Sequence, residues 1–503
     1  MPGMTRLRCP RIAAGLLLLG AAACGTTVPL SQQSAAGSDG LGGPETGGSS
    51  VTGGTGTAAA GTGELGPTVS SPTGTRAGSA TTPGSTTASS AAAGPTSGPV
   101  ASAAGKPDTA PVKVAVFYVN GGNKLLTSAF PGSAVSFGDG KGEATAVIDE
   151  VNAHGGAGGH KILPTFVPVQ ATDAGDAGLQ KACQGAVDDV HPMAIFAMFN
   201  LARGLASCAQ KAHVLVIDVA LGAGDEDMYK GAKDIVFSPS QISRDAEQKL
   251  VLGLAHAQGK LPAGKPVGIL LESDDPLYVR VVHDTVEPLL RKWGVPYVEQ
   301  ALSGGADTSG MSSAVLKFVT GRVDTVVFSL GSGGIPEVLF MQAAEQQGFR
   351  PAYLMGDSTD TNFVGGSGPA NQIKRIWGAG TYPLANVRAD QYPSSPAERA
   401  CLATLSSKLG GYTNRYTSLT GTLYCEIVKS FAYVAGHVRG PLTAASWAAA
   451  FHAIGKGYVP VTTFGTSWVP GSQTGATAYR PLGYGATCGC ITYTGPVRPI
   501  PAS

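Results

Sequence analysis

The sequence has little charge. Only 14% of its 503 residues are Asp, Glu, Lys or Arg, and the formal net charge is +1. Globular chains ordinarily carry about 25%. So thin a balance offers no basic face for nucleic acid or for anionic lipid. Catalytic signatures are also missing. There is no G-x-S-x-G, no Gly-Lys pair followed by Ser or Thr, and no H-E-x-x-H. These absences argue against a nucleophile-elbow hydrolase, a P-loop nucleotide binder and a zinc protease. His213 precedes an apolar run, and His256 and His283 fall on helical stretches. Each reads as a structural or solvated histidine, and no metal or cofactor site is expected. Long apolar runs are lacking too. The run at 12–19 is shorter than the roughly 20 residues a membrane span takes.

What the N-terminus does contain is directional. Arg6, Arg8 and Arg11 precede the apolar run, and Gly20, Ala21, Ala22 and Ala23 follow it. A positive end, a short apolar stretch and small residues predict a signal peptide over 1–23. Cys24-Gly25 resembles the lipobox of bacterial lipoproteins, with Ala21 where that motif prefers Leu. Two outcomes follow: acylation of Cys24, which holds the protein on the outer face of the membrane, or cleavage after Ala23, which frees it. Residues 24–111 are mostly Gly, Ser, Thr, Ala and Pro, without one aromatic side chain. Such a segment buries too little apolar surface to offset its ordering entropy, and it is expected to be a flexible stalk.

At Val112 the composition changes. Residues 112–119 are a β-rich apolar run, and Gly121-Gly122 open a loop. Ala144, Val147, Ile148 and Val151 then fall at helical spacing before Gly155-Gly156. Further apolar runs at 162–167, 194–198, 214–219, 267–271 and 323–330 alternate with helical stretches such as 284–293 and 336–347. Apolar strands alternating with helices predict parallel sheets covered on both faces, an α/β protein. The roughly 390 residues beyond the stalk are too many for one such sheet, so two doubly wound lobes are expected.

The order of these elements resembles the type I periplasmic-binding-protein fold. Within it, the chain is similar to the leucine/isoleucine/valine-binding branch of ABC-transporter substrate-binding proteins. Four segments carry the resemblance: Ile148-Asp149-Glu150-Val151-Asn152-Ala153-His154-Gly155-Gly156; the strand at 267–271 leading to Asp274, Asp275 and Tyr278; Asp307-Thr308 before a helix and the strand at 323–328; and Tyr353-Leu354-Met355-Gly356-Asp357. The resemblance implies lobe one at 112–240 plus 384–465, lobe two at 241–383 plus 466–503, and three crossings between them. It implies an extracytoplasmic, monomeric solute-binding protein that delivers a small organic ligand to an ABC permease. A sensory or scaffold lipoprotein on the same fold is the alternative, and a hydrolase a third.

In open α/β sheets, ligands bind outside the carboxyl ends of the strands. That rule selects the loops at 120–130, 199–204, 220–222, 273–278 and 356–358. Asn120 and Asn200 offer amide groups. Arg203 can pair with a carboxylate or lie solvated on a helix. Phe199, Leu201 and Leu221 would make the pocket apolar. The family resemblance makes Tyr278 a cleft tyrosine, with packing in lobe two as the alternative. It places Asp357, beside Ser358, where an acid meets a ligand ammonium; a cap on the next turn is the other reading.

Of the eight cysteines, Cys9 leaves with the signal peptide and Cys24 is the acylation site. The remaining six face an oxidising compartment, which favours disulfides. Cys183 and Cys208 fall on successive helices around one strand and can pair; relatives carry a bridge in this region. Cys401 and Cys425 can pair likewise. Cys488 and Cys490 either close a very small ring with each other or pair with Cys401 and Cys425.

Overall fold

In a computed structural model, strands form where the apolar runs are densest. The structure describes residues 109–501, except 130–135, 174, 199–200, 220–221, 262, 305–306, 332 and 418. The signal peptide, Cys24 and nearly all of the stalk lie outside the described residues, as do Asn200 and Leu221. β1 (Val112–Asn120) buries most of its residues, as an interior parallel strand must. It is followed by α1 (Gly122–Ala129), α2 (Gly140–Ala153), β2 (Ile162–Gln170), α3 (Asp176–Val190), β3 (Ala194–Ala197), α4 (Arg203–Ala212), β4 (Leu215–Asp218), α5 (Glu226–Gly231) and β5 (Val236–Phe237). The five strands form one parallel sheet in the order β2-β1-β3-β4-β5.

The second half repeats the pattern: α6 (Arg244–Ala257), β6 (Val267–Glu272), α7 (Pro276–Val281), α8 (Glu287–Lys292), β7 (Tyr297–Leu302), α9 (Thr308–Thr320), β8 (Thr325–Ser329), α10 (Ile335–Gln346), β9 (Ala352–Met355), α11 (Thr361–Ser367), α12 (Ala370–Ile373) and β10 (Ile376–Gly380). Strands β7-β6-β8-β9-β10 are parallel neighbours in that order. The chain then returns to the first lobe as α13 (Pro383–Asn386), α14 (Pro396–Leu409), α15 (Leu419–Ala435) and α16 (Ala444–Ile454). It ends on β11 (Ala478–Gly485), β12 (Cys490–Tyr493) and β13 (Arg498–Pro499), which extend the second sheet antiparallel. The fold is thus two doubly wound α/β lobes. Among the described residues, no helix is long and apolar enough to cross a membrane.

Local chemistry sets the boundaries. Asp139 caps α2 by accepting from Gly142 N at 3.1 Å, and the four apolar residues at helical spacing are all buried. Gly156 (φ +74°) ends the following turn, where a Cβ would stand 2.1 Å from the His160 carbonyl oxygen. Two expectations shift. The loop after β1 is largely helix α1, which begins directly after Gly121 (φ +79°). Tyr278 lies on a helix, because Asp275 caps α7 and Pro276 takes its first turn; a π-turn at Val282–Val286 joins α7 to α8.

Three crossings connect the lobes, and they are tied to one another. Thr462 Oγ1 donates to Ser240 Oγ at 3.0 Å, Thr463 Oγ1 donates to the Thr381 carbonyl at 2.7 Å, and Trp468 Nε1 donates to the Pro239 carbonyl at 2.8 Å. Trp468 corrects the expected lobe boundary at residue 466. It stacks on Phe451 and Tyr458 in the first-lobe core, while Ala476 is the first residue beyond it to pack in the second lobe. Disulfides join Cys183 to Cys208 between α3 and α4, Cys401 to Cys425 between α14 and α15, and Cys488 to Cys490 at the β11–β12 turn.

Candidate ligand-binding site

The carboxyl ends of β4, β6 and β8 meet where the lobes face each other. Arg244 stands between them. Ser243 caps α6, so the helix begins at Arg244 directly after the first crossing. The Arg244 guanidinium donates from Nε to the Ala223 carbonyl of the first lobe at 3.3 Å, and from Nη1 to the Leu330 carbonyl of the second at 3.4 Å. Its Cζ lies 5.0 Å from the centre of the Tyr278 ring, a cation–π arrangement. Arg244 and Tyr278 are each 4% exposed. Leu277, Tyr278 and Val281 pack into the first-lobe core although α7 belongs to the second lobe, so the lobes are closed on each other here.

Acids surround this one cation. Glu272 accepts from Gly331 N at 3.0 Å, and burial raises its carboxyl above the ordinary range. Burial raises Asp275 too, against the bond it accepts from Leu277 N. Glu337 is 0% exposed, and both carboxylate oxygens lack a partner from any other described residue. Burial pushes it to about 8. Glu247 is pushed to about 7 by burial and by the Asp357 charge, while accepting from Ser358 N and Oγ, each at 2.9 Å. Asp360, which caps α11, rises to about 7 for want of water. A buried carboxyl that keeps its proton avoids most of the cost of burying a charge. At neutral pH Glu337 is mostly protonated, and Glu247, Glu272 and Asp275 also act on the Arg244 charge.

The expected site residues separate. Tyr278 is buried at the lobe interface, packed in the first-lobe core beside Arg244. Asp357 is committed elsewhere: it accepts from Thr381 N (2.9 Å), Thr381 Oγ1 (2.6 Å), Tyr382 N (3.2 Å) and Asn386 Nδ2 (2.8 Å). It pins the second crossing to β9 and has little capacity left for a ligand ammonium. Ser358 is buried on Glu247, and Asn120 is exposed at the end of β1. Arg203, partly exposed at the start of α4, pairs with the buried Asp225.

Asp225 centres a set of ion pairs across the lobes. Arg280 of α7 reaches it from the second lobe at 2.6 Å and also bonds Asp245 of α6. Lys249 of α6 pairs with Glu226 of α5 at 2.7 Å. Burial favours the neutral form of Asp245, but the hydrogen bonds from Arg280, Thr285 and Glu226 N hold its carboxyl below the ordinary range. Sequence reasoning missed Arg244, Glu247, Glu337 and Arg280. One signal was present: Ser243-Arg244-Asp245-Ala246-Glu247 concentrates charge behind a cap in a charge-poor chain.

Two doubly wound lobes closing over a buried cation and an aromatic ring define a two-lobed ligand-binding protein. The family model described as periplasmic binding protein matches residues 126–470, and the chain belongs to that family. Solved structures agree in fold at low identity. The branched-chain amino acid transporter substrate binding protein LivJ from Streptococcus pneumoniae, in complex with isoleucine, is 16% identical, with a TM-score of 0.55 over 78% of this chain and 99% of that one. A branched-chain amino acid ABC transporter structure from Thermus thermophilus with bound valine is 15% identical, with a TM-score of 0.53 over 77% and 97%. An ABC transporter solute binding protein from R. palustris, in complex with 4-hydroxybenzoate, is 15% identical, with a TM-score of 0.58 over 78% and 98%. A search of the curated proteins finds no match by sequence.

Proposed function

We propose that this protein is the extracytoplasmic solute-binding component of an ABC importer. It captures a small organic carboxylate between its lobes and presents it to a permease, tethered by a lipid on Cys24. It acts by binding and not by catalysis, and it works as a monomer. The observation that carries the ligand class is Arg244, a buried cation held at the lobe interface with backbone carbonyls of both lobes as its acceptors. The ligands named for the relatives, isoleucine, valine and 4-hydroxybenzoate, share a carboxylate, and only the first two carry an ammonium. Because Asp357 is bonded by Thr381, Tyr382 and Asn386, an α-ammonium has no prepared acceptor there. The favoured ligands are therefore acids with an apolar or aromatic body and no α-amino group.

Thermal unfolding with a panel of aromatic acids, branched fatty acids, amino acids and amides tests this reading. The panel is expected to raise the melting temperature for des-amino acids, because a ligand that binds only the folded state stabilises it. Shifts confined to amino acids would overturn the ligand class. No shift from any compound would overturn the transport reading.

A further inference from the structure

A second site lies away from the cleft, at the crossings. A small cavity of about 30 Å3, open to solvent on one side, is walled by the second crossing at Tyr382 and by the third at 461–464. The first lobe closes it with α14, the start of α15 and the segment between them. It shares no residue with the Arg244 cleft, so it stands whether or not the transport reading does.

Three polar groups of its lining are buried without a hydrogen-bond partner among the described residues: Arg415 Nη1, Tyr382 Oη and Thr422 Oγ1. Protein interiors rarely leave such groups unpaired, and each one calls for an explanation. Three on one cavity point to something that binds there. Their chemistry says what. Arg415, 1% exposed, can only donate, and the two hydroxyls can donate as well. The Arg415 charge is already matched, because Nε and Nη2 donate to the two carboxylate oxygens of Glu398 at 2.8 and 2.9 Å. Behind the third crossing, the buried Glu426 accepts from Val461 N at 2.6 Å and Thr462 N at 2.9 Å. A ligand carboxylate would thus enter a buried site with no spare cation, which is costly. A cation would meet donors. A neutral acceptor fits both limits, and Val461, Leu384 and Phe464 offer it an apolar wall.

We propose that this hinge cavity binds a small neutral carbonyl compound of the amide class, its oxygen accepting from Arg415 Nη1 and the hydroxyls of Thr422 and Tyr382. Saturation-transfer NMR of the full chain, titrated with acetamide, tests it. The titration is expected to saturate in the millimolar range. Thr422→Val and Tyr382→Phe, which keep shape and remove only a hydroxyl, are expected to weaken binding at least fivefold each while leaving the unfolding temperature unchanged or higher. Arg244→Gln, in the cleft, is expected to leave acetamide binding as it is. Absence of saturable binding, which would mean ordered water only, overturns the proposal. So does binding that both hydroxyl variants retain, or binding that Arg244→Gln abolishes.

Discussion

Glu337 follows Pro336 in the first turn of α10 and is fully enclosed. Its carboxyl is raised to about 8 chiefly by burial. The native state therefore holds a proton that the unfolded chain releases near pH 4.5, and the stability this proton confers is fully present below pH 4.5 and lost progressively as pH rises from there through about 8. Glu337→Gln removes that dependence. Denaturant unfolding is expected to show similar stability for the two proteins at about pH 4, below the unfolded-state value. At pH 8.5 the variant is expected to lead by at least about 1 kcal/mol, within a ceiling of roughly 4–5 set by the size of the shift. Parallel pH profiles would show that Glu337 titrates normally. None of this was legible in the sequence, where Glu337 reads as an ordinary acid in a first helical turn. Arg244 was hidden for the same reason: its two acceptors lie 21 and 86 positions away along the chain. Only the closed fold puts them on one guanidinium. Asp357 was found by position, but its role depends on Thr381 and Asn386, which the sequence does not place beside it.

At the scale of elements, α5 of the first lobe is held to α6 and α7 of the second by Arg280 between Asp225 and Asp245. This pairing is mostly buried, so removing one partner strands charge. Arg280→Gln is expected to lower stability by roughly 2–4 kcal/mol and to enlarge the radius of gyration of the ligand-free protein in small-angle scattering. An unchanged radius would mean that the remaining contacts, the Lys249–Glu226 pair, Arg244 and the packing of α7, suffice to keep the lobes together. The strands and most helices were readable, because strands buried on both faces leave continuous apolar runs and helices keep their spacing. The Cys183–Cys208 bridge was readable for a related reason, since both residues fall on successive helices around one strand, whereas the pairing among Cys401, Cys425, Cys488 and Cys490 stayed open until the fold placed them. The C-terminal antiparallel hairpin was not. Its residues 478–485 mix Tyr, Arg, Pro and Gly and carry no clear period.

At the scale of the whole molecule, the described body is a two-lobed binding protein, and the 24–111 segment is read as the spacer to a lipid on Cys24. Cys24→Ser is expected to move the protein from the membrane fraction to the medium; equal membrane association in both would contradict the tether. Fold class was legible from strand order alone, whereas the ligand was not, because it is set by side chains that converge only on closure. The central claim is that closure captures a carboxylate at Arg244. Isothermal titration calorimetry of the full chain with 4-hydroxybenzoate and 3-methylbutanoate, each beside valine, measures this directly. The account predicts one-to-one binding of at least one of the two acids, tighter than valine by tenfold or more, and its loss in a folded Arg244→Gln variant. Valine binding more tightly than both acids, or acid binding that survives Arg244→Gln, would contradict it.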